Sequence, residues 1–456
     1  MNQDRQPTVP LLQRQQQEDG TNVQDAGDHH QHRHRGKLTL LPLVFLIYFE
    51  VAGGPYGAER AVQAAGPLFT LLGFLVFPFA WGVPESLVTA ELAAAIPGNG
   101  GFVRWADRAR RLAPRHVEVP ELRGQHRRRS SPTTSGRSSP AARTGTVAGM
   151  TVLLSFVSYA GLSVVGWGAV ALGAVSLAPF VLMTAMAAPM VRPRRWAAQV
   201  QGKKDWRVFF NILFWNLNYW DSASTMAGEV DRPERTFPRA LAVAVVLIVA
   251  SYLLPLMAAT GATDAPPEAW VNGYLADAAG IIGGAWLRYW IEAGAVLSSI
   301  GMFEAQLSSG AYQLLGMADL GLLPSVFARR ATGFNTPWVA IAVSGAITLS
   351  VSFLGFDDVL LEFAAFLWLR ASRPELKRRF RVPLPLPALV AMCAVPSAFL
   401  AYVSAVAGTR VFALAGALTA LGVVGHGAMR VCRARKWLRF NDAGIVAAEE
   451  EIMVTV

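Results

Sequence analysis

Asp221 is the acid most suited to chemistry in this chain. It lies within Phe214–Thr225, where Asn216, Asn218 and several hydroxyls interrupt a stretch otherwise apolar enough to lie inside a membrane. A carboxylate there suits an ammonium ion, because it offers a charge-assisted hydrogen bond. The neighbouring rings of Trp215, Tyr219 and Trp220 add cation–π attraction, worth about 2 kcal/mol when desolvated. Asp221 is also placed to cap a following helical segment through the amides of Ser222–Ser224. The two roles are compatible.

A second constellation sits at Gly53-Gly54-Pro55-Tyr56-Gly57. Pro55 lacks an N–H and the glycines lower helix propensity, so a helix cannot run comfortably through it. Tyr56 and the backbone freed at Gly53, Gly54 and Gly57 are expected to face the same cavity as Asp221. A half-helix N-terminus at that place suits an anion such as an amino-acid carboxylate. Glu59, just beyond, either neutralises a cation or occupies a first helical turn, where acids are favoured. Glu85 and Glu304 lie in later apolar runs, where ionisable groups are costly and mark pathways. Glu59, Glu85 and Glu304 are the candidates for carrying a coupling proton, which requires an acid that titrates within the cycle. Glu91 is either a fourth such acid or a solvated one near a helix end.

These residues need elements that place them at membrane depth. Only 16% of the 456 residues are charged, 53% are hydrophobic and the mean hydropathy is +0.35. Ordinary globular proteins are about a quarter charged. Apolar runs cover 38–52 with 58–66, 68–96, 148–189, 238–260, 285–315, 337–356, 384–406 and 410–431. A spanning helix needs roughly 20 such residues, so an all-α, polytopic membrane protein is expected. In lipid, irregular backbone is tolerated only where protein or a wet cavity lines it. Two interrupted spans therefore point to a carrier with its site near the midplane.

The net charge of +10 is distributed by position. Basic clusters at Arg33–Lys37, Arg232–Arg239, Arg329–Arg330, Arg370–Arg381 and Arg430–Arg439 mark cytoplasmic ends, which places both termini inside. Nucleic acid is not an expected partner. Residues 1–36 read as a disordered tail with incidental histidines, 37–439 as the transmembrane domain and 440–456 as a C-terminal tail. Cys393 and Cys432 give no disulfide framework. No phosphate-binding loop, metal-ligand spacing or catalytic triad appears, so neither an enzyme nor a cofactor is expected.

The stretches Phe49–Glu59, Trp81–Leu92, Pro97–Gly101, Phe214–Asp221, Ala227–Val230 and Tyr312–Ala318 resemble the plant polyamine uptake transporters of the amino acid–polyamine–organocation (APC) superfamily. The resemblance implies twelve helices, the first ten forming two inverted five-helix repeats, with alternating access. It also implies proton-coupled uptake of polyamines such as putrescine and spermidine at the plasma membrane, with Trp215 and Asp221 among the substrate contacts. The alternatives are a cationic or neutral amino-acid transporter of the same superfamily, or a transport-defective variant or sensor.

Two departures stand out. Residues 104–147, where the third helix belongs, carry an atypical Arg/Ser/Pro-rich segment and are expected to form a basic loop. The tenth helix, 357–370, spans only ~21 Å, short of the ~30 Å hydrocarbon core.

Overall fold

The computed structural model describes residues 38–112, 140–197, 204–351, 360–372, 379–406, 420, 422, 424–425 and 427–441. The histidine-bearing tail and residues 442–456 lie outside the described residues. Among those described, the regular structure is helical apart from an isolated backbone bridge between Leu38 and Val230.

The first apolar run divides into α1 (Leu40–Val51) and α2 (Glu59–Ala65). Gly66, at φ 94°, ends α2, and Pro67 opens α3 (Pro67–Ala80) at a position where its missing N–H costs nothing. With α4 (Gly82–Ala95), α3 makes a 29-residue apolar stretch. Next come α5 (Gly101–Leu112), α6 (Pro140–Ala160) and α7 (Leu162–Ala187). α8 (Trp206–Asn216) ends at the second interruption, which a 3₁₀ segment (Ser222–Glu229) follows. The remainder comprises α9 (Pro233–Ala262), α10 (Tyr274–Gly283), α11 (Ala285–Asp319), α12 (Trp338–Val351), α13 (Leu360–Ser372) and α14 (Leu386–Val406).

Among the described residues, three stretches have the length and composition to cross a bilayer: Pro67–Ala95, Leu162–Met190 and Pro233–Ala262. Shorter apolar helices accompany them at Leu40–Val51, Gly149–Ala160, Tyr274–Gly283, Trp338–Ile347 and Leu386–Leu400. The burial pattern is that of a protein solvated by lipid. Phe79, Phe156, Val181 and Val246 are at least 64% exposed, while Glu50, Glu85, Asn218 and Asp221 are at most 8% exposed. In water this arrangement would expose apolar surface and desolvate charge together.

The interrupted helices pack in matched pairs. α2 lies against α8, the halves on one side of the two breaks, and α1 lies against the 3₁₀ segment on the other. α9, α7 and α11 surround α1, with α7 running along α11. The Leu38–Val230 bridge binds the lead-in to α1 to the exit of the 3₁₀ segment: Leu38 N–H donates to the Glu229 carbonyl (3.0 Å), and Asp231 N–H donates to the Leu38 carbonyl (3.0 Å).

The basic loop expected over 104–147 is corrected at both its ends. Residues 104–112 belong to α5 and 140–147 to α6, and 113–139 lie outside the described residues. Phe102, Trp105, Ala109 and Leu112 recur at helical spacing, a period that the surrounding arginines obscure. Trp105 anchors the helix at 1% exposure. α13 covers 13 residues, about 20 Å of helix, and residues 352–359 before it lie outside the described set.

α13 is fastened by a buried ion pair. Arg370 bonds Glu91 of α4, and it donates to the carbonyls of Val382 (3.0 Å) and Leu384 (3.4 Å). The other Glu91 oxygen accepts the Val382 N–H at 2.7 Å. The two side chains are 4% and 1% exposed, so Glu91 is neither solvated nor free for a relay. Removing one partner of a buried pair costs about 3–5 kcal/mol, whereas replacing both by apolar groups is often neutral. Arg370→Met should therefore lower the thermal midpoint of the detergent-purified protein sharply, and Glu91→Leu combined with Arg370→Met should recover most of the loss. Size-exclusion profiles after heating read both effects.

Candidate functional site

The first break is built by glycine stereochemistry. Gly53 and Gly54 take φ +64° and +114°, values that side chains rarely tolerate. A Cβ at Gly53 would also collide with Met302 and with Ser298 of α11. The Gly53 carbonyl, released from helical bonding, accepts a hydrogen bond from the Ser298 hydroxyl. Tyr56 reaches the same helix, donating to the Ile291 carbonyl at 3.3 Å with its ring edge-on to Phe180.

The second break uses a strained residue. Tyr219 sits at φ +72°, a left-handed conformation costing roughly 1–2 kcal/mol without glycine. It turns the chain so that the Trp220 N–H points at Glu85 Oε1, 3.1 Å away. The Trp220 indole donates to the Leu217 carbonyl (2.9 Å), and its ring lies against Gly82. Below the turn, Ser309 of α11 donates to the Ser222 carbonyl (3.0 Å) and accepts from Thr225 (3.1 Å). Tyr252 of α9 holds the two breaks together. Its hydroxyl lies 3.3 Å from the Ala52 carbonyl and 3.0 Å from Asn216 Oδ1.

The result is a concentration of acids. The Asp221 carboxyl meets that of Glu85, and Glu50, in the last turn of α1, faces both Asp221 and Ser309. Their exposures are 8%, 0% and 5%. Among the described residues no Lys or Arg pairs with any of the three. Glu50 Oε1, Glu85 Oε2 and both amide atoms of Asn218 are buried without a hydrogen-bond partner. The carboxylate oxygens and Asn218 Oδ1 lack a donor, and Asn218 Nδ2 lacks an acceptor.

The expected residues divide accordingly. Gly53, Gly54, Tyr56, Tyr219, Asp221 and Glu85 all lie at or between the two breaks. Trp215, also beside the second break, is 39% exposed, donates to Asn211 Oδ1 at 3.2 Å and has its ring 6.3 Å from that of Tyr219. Consecutive positions near a helix end point to different sides, and Trp220 is the buried indole instead. Glu59 stands apart at the first turn of α2, where Oε1 accepts the Gly273 N–H at 3.2 Å and ties down the start of α10. Glu304 is also separate, accepting from Ser158 of α6 at 2.8 Å.

Two members of the site were missed from sequence. Glu50 carried a signal, since an acid in the last turn of a helix opposes the dipole and needs a reason to be there. Tyr252 carried none, lying in an unbroken apolar run.

Comparison with known proteins supports one assignment. The amino acid permease family model matches residues 132–424. A probable polyamine transporter of Arabidopsis thaliana is 42% identical over 434 residues, 89% of this chain and 89% of the relative. The polyamine transporter PUT1 of Oryza sativa subsp. japonica is 42% identical over 432 residues, 89% of this chain and 80% of the relative. RMV1, a polyamine transporter of Arabidopsis thaliana, is 39% identical over 437 residues, 89% and 88% respectively. With helices suited to a bilayer and relatives of this kind, the chain belongs to the amino acid permease family, beside the plant polyamine transporters, and is a membrane transporter and not an enzyme.

Proposed function

We propose that this transporter takes up polyamines such as putrescine and spermidine across the plasma membrane by alternating access, coupled to protons, with both termini in the cytoplasm. The observation that carries the reading is the Glu50–Glu85–Asp221 cluster, buried with no cationic side chain opposite it among the described residues. Ionised carboxylates crowded in low dielectric repel one another, and each needs either a proton or a cation. A polyamine carries an ammonium at each end, spaced by methylenes that suit the apolar walls. An ammonium on Asp221 leaves Glu85 to hold the proton that travels with it. Glu59 and Glu304 are weaker proton carriers in this scheme, because each is engaged away from the cluster.

The matched pairing of half-helices supports the inverted five-plus-five repeat, in which a rocking bundle exposes the site to either side. Amino-acid transport remains the second reading, favoured by the family description. Against it, the acid Glu59 occupies the first turn of α2, the place an amino-acid carboxylate would take.

In proteoliposomes containing the full chain, an inward proton gradient should drive uptake of radiolabelled spermidine and not of arginine. Arginine uptake without spermidine uptake would overturn the substrate assignment. No uptake of either solute would indicate a transport-defective variant or sensor. Losing one hydrogen bond to a charged group costs about 1.5–3 kcal/mol, so Asp221→Asn should weaken spermidine binding roughly tenfold to a hundredfold. Trp215→Ala should stay near wild type.

A thermal measurement separates binding from folding. Asp221→Asn removes repulsion and should raise the midpoint of the ligand-free protein, while abolishing the further rise that spermidine gives the wild type. Spermidine stabilising Asp221→Asn and wild type equally would exclude the cluster as the site.

A further inference from the structure

A cavity of about 460 Å³ lies between α3, α8 and α14, away from the acidic cluster. Its walls include Leu72, Val76, Phe77, Trp81, Phe209 and Phe399, and no lining residue is charged. Leu72 and Val76 are 45% and 56% exposed, so the cavity opens on the lipid-facing side. Its rim differs in character. Lys204 Nζ stands 4.1 Å from the centre of the Phe69 ring and 5.8 Å from that of Trp206, and both rings line the mouth. Lys and Trp together mark a membrane–water interface, with the lysine stem lying along apolar surface and its charge at headgroup level. Asp205, next to Lys204, caps α8 by accepting the Val208 N–H at 3.0 Å.

Depth and charge together define an occupant. From Phe69 to Trp81 along α3 is about 18 Å at 1.5 Å per residue, against about 15 Å for one leaflet of a ~30 Å hydrocarbon core. We propose that the groove binds one anionic phospholipid, its acyl chain running along α3 to Trp81 and its phosphate resting on Lys204. A soluble apolar ligand would not need a cation at the mouth.

The floor of the groove gives the lipid a consequence. Trp81 stacks on Phe77 and meets Phe214 edge-on at 5.2 Å, and its side chain also reaches Glu85. An acyl chain against Trp81 steadies the residue that backs the acidic cluster.

The test uses the full chain in nanodiscs doped with phosphatidylglycerol or phosphatidylcholine, each carrying a diazirine near the end of one acyl chain. After illumination, mass spectrometry locates the labelled peptides. Phosphatidylglycerol should label residues 69–81 and 206–213 about fivefold more than phosphatidylcholine, the preference that one surface lysine confers. Lys204→Glu should reduce that labelling to the phosphatidylcholine level. Val76→Trp, filling the slot from the lipid side, should reduce labelling of these peptides by both lipids and leave other regions unchanged. Equal labelling by the two lipids that ignores Lys204→Glu would mean annular lipid only and would overturn the proposal. Phosphatidylglycerol labelling concentrated elsewhere would overturn it too. Lys204 is a rim residue, so that arm decides the matter even if Val76→Trp fails to fold.

Discussion

Three carboxyl groups share a space that contains no opposing cation among the described residues, and much of the surrounding architecture holds them there. Glu50 arrives on α1, Glu85 on α4 and Asp221 from the turn after α8. Burial of even one ionised carboxylate is costly unless it is paired. The protein spends further stability on the same spot through the left-handed Tyr219. Such an expense is characteristic of functional sites, where the surroundings fix a geometry that local preferences oppose. Both breaks follow from the same need, because an uninterrupted helix would keep its backbone groups to itself and present only side chains.

The surrounding scaffold is correspondingly conventional. Long apolar helices expose Phe79, Phe156 and Val246 to lipid and turn small or aromatic faces inward. Phe74 stacks on Tyr252 with ring centres 4.6 Å apart, and Phe214 packs edge-on to Trp81. These contacts place the Tyr252 hydroxyl where it reaches Ala52, 200 positions away in the chain, as well as Asn216. The ion pair between Arg370 and Glu91 serves a different end: it fixes a short helix and the backbone at Val382 to α4.

How much of this the sequence revealed depends on the kind of signal. Both breaks were legible, because glycine, proline and paired amides inside an apolar run leave local chemistry that no helix accommodates. Asp221 and Glu85 stand out in the sequence for a similar reason, as isolated acids within apolar runs. Bringing them together was not legible, since their contact joins positions about 135 residues apart through the Trp220 N–H. Trp215 and Trp220 flank the same break yet differ in burial, 39% against 0% exposed, because a helix end fans successive side chains around its axis. The helix over 101–112 escaped notice because its apolar period is sparse among arginines. Tyr252 could not have been found: nothing local distinguishes a tyrosine that bridges two breaks from one that fills a core.

The small bridge between Leu38 and Val230 has a mechanical meaning. Two backbone hydrogen bonds of 3.0 Å fasten the lead-in to α1 directly to the exit of the 3₁₀ segment. Any movement of α1 at this end must carry the segment Ser222–Glu229 with it, or both bonds must break. The two halves on this side of the breaks are thereby geared to each other like a pair of leaves on one pin, so neither can shift alone at that end.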